Sequence, residues 1–170
     1  MALLAELGYT VRTPNIVQRL VQRLASMRPI AWLFQKTLYP IDRLLYRKSG
    51  GRITVPGIMA GLPVIMLTTT GARSGQPRTM PLLGIPLGDA IAVIGTNYGQ
   101  KPTPGWVFNL RADPTATVEY RERSAEVVSR LATKSETEEA FALATKVYPG
   151  FAKYRERIDG REVPVFVLDT

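Results

Sequence analysis

The residues best suited to binding an anion cluster in one turn of the stretch VIMLTTTGARSGQPRTMP, residues 64–81. Arg73 and Arg78 carry permanent positive charges on forked donors that match phosphate or carboxylate oxygens, and Ser74 and Thr79 add hydroxyl groups. The two glycines of the turn can adopt positive φ and so let backbone N–H groups face an anion. Apolar runs of strand length flank the turn, which predicts a hairpin with an anion clamp at the edge of a sheet. The spacing alone leaves open an ordinary basic hairpin turn, because one Gly-rich basic turn is a weak signal.

Two absences narrow the chemistry that this chain can perform. The sequence contains no cysteine and no histidine, which removes thiolate nucleophiles and the commonest metal ligand and general base. We therefore expect no metal site, no Ser-His-Asp triad and no Cys-His dyad. An enzyme built from this chain would need a bound cofactor for its chemistry.

The net charge of +8 is concentrated in the first third of the chain. Residues 1–52 contain nine Lys or Arg against two Asp or Glu, whereas the other 118 residues contain 13 basic and 12 acidic residues. A uniform nucleic-acid-binding surface would spread its basic residues more widely. We therefore expect no nucleic-acid partner, and instead a basic segment on the N-terminal side.

This basic segment is predicted to contain amphipathic helices, the first of which starts at Thr13-Pro14. Its apolar stripe consists of Val17, Leu20, Val21, Leu24 and Met27, opposite a face that consists of Gln18, Arg19, Gln22 and Arg23. A second stripe begins at Ile30 and is broken at Pro40. Both runs are shorter than the ~20 residues that a membrane-spanning helix needs. The stripes therefore either pack on the protein core or lie on an anionic membrane surface.

The rest of the chain has the pattern of a β-rich domain with a few helices. Ser49-Gly50-Gly51 is the predicted boundary between the helical segment, residues 1–50, and this domain, residues 51–170. About six strands are predicted, at residues 64–67, 82–85, 90–96, 116–120, 125–131 and 162–168, and helices at Trp106–Arg111, from Ser135 and at Gly150–Arg157. Regular strand–helix alternation is missing, which argues against a doubly wound sheet. The pattern predicts an α+β fold, a small antiparallel β-barrel with helices packed outside.

Three blocks of the sequence resemble, in order, the family of deazaflavin-dependent nitroreductases and quinone reductases of actinobacteria. They are LTTTGARSGQPRTMPL, GTNYGQKPTPGWVFNLRADP and YPGFAKYRERIDGREVPVFVL, and the likeness covers about residues 40–170. Members of this family use reduced coenzyme F-420 as a hydride donor. The resemblance implies a split β-barrel and an oxidoreductase that transfers hydride from F-420 to a quinone, a nitro compound or another electron-poor acceptor.

The resemblance also implies which residues bind the coenzyme. Those at positions that hold the phosphate and glutamate tail are Arg73, Ser74 and Arg78. Those at positions that line the deazaflavin ring are Met80, Pro81 and Leu82. Those that flank the ring or tail from the opposite side are Thr96, Asn97, Trp106 and Asn109.

A third set of residues corresponds to the substrate side of the ring. Tyr148, Phe151 and Tyr154 match an aromatic triplet that encloses the substrate in the family. Because the chain has no histidine, the proton for the reduced product is expected from the hydroxyl of Tyr148, Tyr154 or Thr96, or from a bound water. Ordinary core packing is the competing interpretation of the triplet and of Trp106.

Two hypotheses from other functional classes remain open. A non-catalytic carrier would bind deazaflavin or flavin with the same clamp. A membrane-surface or nucleic-acid adaptor would act through the basic N-terminal segment. F-420 is favoured over FMN as the cofactor. The start of the chain lacks the signal of an exported protein, so we expect a cytoplasmic enzyme in peripheral contact with the inner face of the membrane. The sequence does not determine the oligomeric state.

Overall fold

The structure, a computed structural model, describes residues 2–11, 15–25, 61–158 and 160–170. The helices within these residues are α1 (Leu3–Leu7), α2 (Ile16–Ala25), α3 (Gly105–Ala112), α4 (Lys134–Val147) and α5 (Gly150–Arg157). The strands are β1 (Val64–Thr70), β2 (Pro77–Leu83), β3 (Ile85–Leu87), β4 (Ala90–Ile94), β5 (Thr115–Tyr120), β6 (Arg123–Leu131) and β7 (Val165–Asp169). A single 3-10 turn, Asn97–Gly99, follows β4.

The seven strands form one antiparallel sheet in the order β2-β1-β5-β6-β7-β4-β3. The two edge strands, β2 and β3, follow each other in the chain with Gly84 alone between them. Because one residue spans at most about 3.6 Å, the end of β2 lies beside the start of β3, and the sheet curls into a barrel that is split between these two strands. The predicted α+β split barrel is confirmed. It has seven strands rather than about six because the apolar run at residues 82–85 breaks at Gly84.

The buried side chains divide into an inner core within the barrel and an outer core beneath α4 and α5. Along β4 they alternate between the two: Ile91 and Val93 belong to the inner core, whereas Ala92 and Ile94 belong to the outer one. Both faces of β4 are buried, which explains its uninterrupted apolar sequence AIAVI. β7 alternates in the same way, with Phe166 inside the barrel.

The N-terminal residues pack into the barrel, where α1 contacts β6 and β4 and Tyr9 reaches Gly84 at the split. Leu3 and Leu7 of α1 and the following Tyr9 are buried in the inner core. The Tyr9 hydroxyl donates to the carbonyl of Gly84 at 2.6 Å and lies 3.2 Å from that of Pro63, and burial raises the pKa of this phenol. A Cβ atom at Gly84 would lie 2.7 Å from the Tyr9 oxygen. This position therefore requires glycine.

The start of α2 differs from the predicted one because a neighbouring side chain caps the helix. Gln18 N donates to Asn15 Oδ1 at 2.8 Å, and Asn15 N donates to Gln18 Oε1 at 3.0 Å. This reciprocal pair is a capping box, so Asn15 takes the role predicted for Thr13, which itself lies outside the described residues. The helical stripe predicted from Ile30 and the boundary at residues 49–51 also lie outside them.

Three further predicted elements are present, and two of them, α3 and β7, have shifted ends. α3 and α5 confirm the helices predicted after the irregular loop and late in the chain. β7 begins at Val165 rather than at Glu162, because Pro164 has no N–H group to donate to a ladder, and its carbonyl accepts a hydrogen bond from Gly95 N at 2.9 Å. Within the described part of the chain, no helix combines the length and the apolar character needed to cross a membrane.

The start of α4 is fixed by a second capping box and an ion pair. Thr133 N donates to Glu136 Oε2 at 2.8 Å and Glu136 N donates to Thr133 Oγ1 at 3.3 Å, so the helix begins at Lys134, one residue before the predicted Ser135. Arg130 of β6 donates to both carboxylate oxygens of Glu136, at 2.8 and 2.6 Å. The hydrogen bonds from Arg130 and from the Thr133 backbone lower the pKa of Glu136 from 4.5 to about 2.

This shift predicts how stability depends on pH. A carboxyl group whose pKa is lower in the folded state stabilises the fold above pH 4.5 and loses that effect as the pH falls to about 2. We expect Glu136→Gln to have a lower melting temperature than the wild type at pH 7, and the difference to shrink between pH 4.5 and pH 2. Thermal unfolding over that range measures it. Glu139→Gln, at an exposed position of the same helix, is the control, and an equally pH-dependent difference there would contradict the assignment to Glu136.

Candidate functional site

An open groove of about 800 Å³ lies between the β1–β2 hairpin and α3. The residues that line it are Thr69, Gly71, Ala72, Arg73, Ser74, Pro77, Arg78, Thr79, Met80, Gly105, Trp106, Phe108 and Asn109. Six of the ten residues predicted to bind the coenzyme are among them. The groove therefore brings together the basic turn, the end of β2 that follows it and the first turns of α3.

The side chain of Asn109 fixes the turn against α3. Asn109 Oδ1 accepts a hydrogen bond from Ala72 N at 3.0 Å, and Asn109 Nδ2 donates to Thr69 Oγ1 at 2.9 Å. Thr69 is buried at the end of β1, so a single amide connects the helix to both the strand and the turn. Asn109 thus holds the groove open at a set width, with both ends of its amide engaged within the protein.

Most backbone donors of the turn, all but that of Arg73, are used within the protein, contrary to the prediction that they face an anion. Gly71 N donates to Gln76 O, and the N–H groups of Ser74 and Gly75 both donate to Gly71 O. Gln76 N donates to Ser74 Oγ at 3.3 Å, and Ala72 N is held by the amide on α3. Gly75 does adopt positive φ, at 64°. Its freedom closes a compact turn, so anion binding falls to the side chains.

The two guanidinium groups of the turn are available for that task. Arg73 and Arg78 are exposed, and neither guanidinium group forms a hydrogen bond or ion pair with the residues that the structure describes. Among the predicted hydroxyls, Ser74 Oγ accepts from the turn backbone, and Thr79 Oγ1 lies 2.7 Å from Thr68 Oγ1. The groove therefore presents two permanent cations. The two hydroxyl groups beside them already form hydrogen bonds within the hairpin.

The opposite wall of the groove is aromatic and apolar. Trp106 is 3% exposed and meets Phe166 of the inner core edge to face, with ring centroids 5.8 Å apart. On the hairpin side, Met80 of β2 is half-buried and also packs on the inner core. Phe108, which the sequence analysis did not single out, is 52% exposed in the groove. The helical period could have identified it, because the inward positions of α3 leave Phe108 on the outer side.

The remaining predicted coenzyme residues lie outside the groove. Leu82 of β2 packs on the inner core, and Pro81 is half-buried opposite Met66 in the ladder. Thr96 is buried just after β4. Asn97 follows it at a φ of 48°, and its Nδ2 donates to Pro102 O at 2.9 Å. These two polar residues lie at the start of the loop, residues 95–104, that leads from β4 into α3.

The aromatic triplet forms part of the outer core. Tyr148, Phe151 and Tyr154 are each at most 6% exposed, and their ring centroids lie 5.9–6.1 Å from one another. The hydroxyls of Tyr148 and Tyr154 are 3.3 Å apart. The structure thus brings the three rings together, beneath α4 and on the face of β4 that points away from the barrel interior. α5, which carries two of them, contacts the 3-10 turn of the loop after β4.

The family described as F-420H(2)-dependent quinone reductase matches residues 40–170. The chain belongs to this family. The match includes all the residues found to line the groove and the whole aromatic triplet, and it leaves α1 and α2 outside.

Individual relatives of the quinone reductase family agree with this assignment. The F-420H(2)-dependent quinone reductase of Mycobacterium tuberculosis strain H37Rv is 38% identical over 76 residues, which are 44% of this chain and 49% of that protein. The chain thus aligns with about half the length of the curated relatives it matches. A solved structure of an F-420-H2-dependent reductase is 33% identical, with a TM-score of 0.57 over 62% of this chain and 93% of that chain. A second solved structure, described as a domain-swapped dimer, is 29% identical, with a TM-score of 0.60 over 82% of this chain and 98% of that chain.

Proposed function

We propose that this chain is a reductase that binds reduced coenzyme F-420 in the groove and reduces a quinone, a nitro compound or another electron-poor acceptor. The observation that carries the proposal is the pair of guanidinium groups, Arg73 and Arg78, that no residue in the described ranges engages. They stand at the mouth of a groove in a chain of an F-420H2-dependent family. A protein has little reason to gather two unpaired cations unless an anion is to neutralise them.

The groove suits the two chemically different ends of the coenzyme. At the turn, Arg73, Ser74 and Arg78 would bind the phosphate and glutamate carboxylates through charge-assisted hydrogen bonds. Farther from the turn, Met80 of β2 and, on α3, Trp106 and Phe108 would receive a flat, largely apolar ring between them. The volume of about 800 Å³ lies within the ordinary range for cofactor sites. Tail binding at the turn and ring binding along α3 thus define one orientation.

The ring assignment also includes residues beside the groove. We assign Pro81 and Leu82 of β2 and Thr96 and Asn97 of the loop to the ring, so that it would extend from the groove towards the loop after β4. FMN is the competing coenzyme, and its single phosphate would use the two arginines less fully than a phosphate and carboxylates together. Titration with both coenzymes distinguishes them.

Reduction of the acceptor needs a hydride and a proton. Bound reduced F-420 supplies the hydride. The chain itself must bind and orient both partners, exclude water and deliver the proton. We assign proton delivery to Tyr148, Tyr154 or the Thr96 hydroxyl. The 3.3 Å contact between the two phenols supports a relay in which one donates a proton and the other replaces it.

The clamp is tested by Arg78→Ala. We expect F-420 to bind about 1.5–3 kcal/mol more weakly, the range for a hydrogen bond to a charged group, and a deazaflavin without phosphate or glutamate to bind unchanged. Fluorescence titration of the two ligands measures the effect. The matched control is Arg121→Ala, which removes the same charge at the opposite end of the barrel, where Arg121 lies over the Tyr120 ring. Unchanged F-420 affinity in Arg78→Ala would refute the clamp.

The proton donors are tested by Tyr148→Phe and Tyr154→Phe, which keep the packed rings and remove the hydroxyls. If one phenol is the acid, its variant should bind F-420 normally and lose about 10²-fold or more in turnover. Steady-state rates with a quinone, read from the returning visible absorption of oxidised coenzyme, measure this. Tyr120→Phe, which removes a hydroxyl bonded to Thr10 O, is the control. Wild-type turnover in both variants would show that neither phenol is the proton donor and would assign that role to Thr96 or water. If the wild-type protein binds F-420 but does not turn over, the chain is a carrier.

A membrane contact is a second proposal, favoured by the exposed face of α2. Ile16, Val17 and Leu20 are 86%, 68% and 57% exposed, next to the cationic Arg19. This face belongs to the strongly basic part of the sequence. An apolar stripe beside basic residues binds anionic lipid headgroups, to which each basic residue adds about 1 kcal/mol. We propose that α2 attaches the enzyme peripherally to the inner membrane face, where a lipid-soluble quinone is dissolved.

This contact is tested by substitution within α2 rather than by removal of the segment, because Leu3, Leu7 and Tyr9 belong to the inner core. We expect Val17→Ser combined with Leu20→Ser to reduce binding to anionic vesicles and activity with vesicle-borne quinone, and to keep activity with a water-soluble quinone. Vesicle sedimentation and paired rate measurements read this out. Val128→Ser, at another exposed apolar position, is the control. Equal losses with both quinones would count against the membrane role.

A further inference from the structure

The loop after β4 is fastened by an arginine from a distant part of the chain. Arg161 precedes β7, and its guanidinium donates to the backbone carbonyls of Gly95, Thr96 and Gln100. Nη1 and Nη2 both lie 3.2 Å from Gly95 O, and Nη2 lies 3.4 Å from Thr96 O and 3.2 Å from Gln100 O. One planar group therefore holds three carbonyls at the start of the loop in a fixed relation.

The arrangement is costly for the arginine itself. Arg161 is half-buried, burial lowers the pKa of its guanidinium, and its Nε is buried without a hydrogen-bond partner among the described residues. Within the same residues it forms no ion pair with a carboxylate. Carbonyl dipoles alone offset the removal of this cation from water. A residue kept under these conditions is better explained by the geometry that it imposes on the loop than by the stability that it adds.

The loop that Arg161 holds connects the two parts of the candidate site. It carries Thr96 and Asn97, and its 3-10 turn contacts α5, the helix of Phe151 and Tyr154. Its far end runs directly into α3, whose second residue is Trp106. Within the loop, Asn97 supplies one further tie, to Pro102 O. From outside the loop, the backbone hydrogen bond between Gly95 N and Pro164 O fixes its first residue relative to β7, and Arg161 extends this connection to Thr96 and Gln100.

We propose that Arg161 is a positioning residue that holds residues 95–100 as the wall for the ring end of the coenzyme. This inference rests on the proposed function, and it concerns a different end of the ligand from the arginine clamp. The clamp acts on the anionic tail. Arg161 acts through backbone carbonyls on the loop, so its effect should fall on the deazaflavin ring whether or not a tail is attached.

The experiment compares two ligands, F-420 and a deazaflavin that lacks the phosphate and glutamates. Arg161→Met should weaken both by the same factor, about ten-fold or more, the order of one lost hydrogen bond to a charged group. Arg161→Lys should recover part of the affinity, because an ammonium group can still donate to several carbonyls. Arg78→Ala should weaken F-420 alone. Fluorescence titration of the wild type and the three variants with each ligand gives these affinities.

The matched control is Arg123→Met. Arg123 also donates from its guanidinium to a backbone carbonyl, that of Glu6 at 3.2 Å, at the opposite end of the barrel. It should lower the melting temperature and leave both affinities unchanged. If Arg161→Met is too unstable to purify, Arg161→Lys replaces it in the test, and its affinities for the two ligands should fall by the same factor. Wild-type affinity of an Arg161 variant for the tail-less ligand would overturn the positioning role, whereas failure of the wild type to bind either ligand would overturn the proposed function itself.

Discussion

The passage of the chain from β2 to β3 through the single residue Gly84 is the constraint on which the rest of the structure depends. It forces the two edges of a seven-stranded sheet together, and so turns an open antiparallel sheet into a split barrel. The Tyr9 hydroxyl, bonded to the Gly84 carbonyl from inside, closes the remaining gap. With the edges fixed, the β1–β2 hairpin and the loop after β4 can lie only on set sides of the barrel. The loop leads directly into α3. The closure therefore also determines where the two walls of the groove, the hairpin and α3, lie.

In the candidate site, the backbone of the turn supplies a rigid base, and the side chains that extend from it supply the charge. The turn of the hairpin is held by its own backbone hydrogen bonds and by Asn109, so its shape does not depend on a ligand. Arg73 and Arg78 extend from this fixed turn with no partner among the described residues. A ligand anion would therefore meet donors whose base is already ordered, and much of the entropy cost of forming the clamp has been met during folding. The loop after β4 is held in a similar way, because Arg161 bonds its backbone as Asn109 bonds that of the turn.

The sequence predicted those features that depend on local patterns. Alternating apolar runs and turn residues gave most strands, and the Gly-rich basic turn predicted the position of the groove. Whatever depends on partners far away in the chain was harder to predict. Nothing local to Ala72 shows that its N–H group meets Asn109, and nothing local to Arg161 shows that it reaches residues 95–100. Thr13 lost the cap of α2 to Asn15 because both residues are good caps and only the reciprocal bond with Gln18 decides between them.

The position of β7 in the sheet has a consequence for how the protein acquires its fold. Of the seven described strands, β2, β1, β5 and β6 form one group and β3 and β4 another, and β7 joins the two by pairing with β6 on one side and β4 on the other. During synthesis on a ribosome, β6 and β4 cannot be connected through β7 until residues 165–169 have emerged, although β4 was synthesised long before. The apolar edge of β4 must wait unpaired during that interval. The sheet of such a nascent chain can fold cooperatively only after its last strand has been synthesised. Until then its exposed strand suits chaperones that shield unpaired strands.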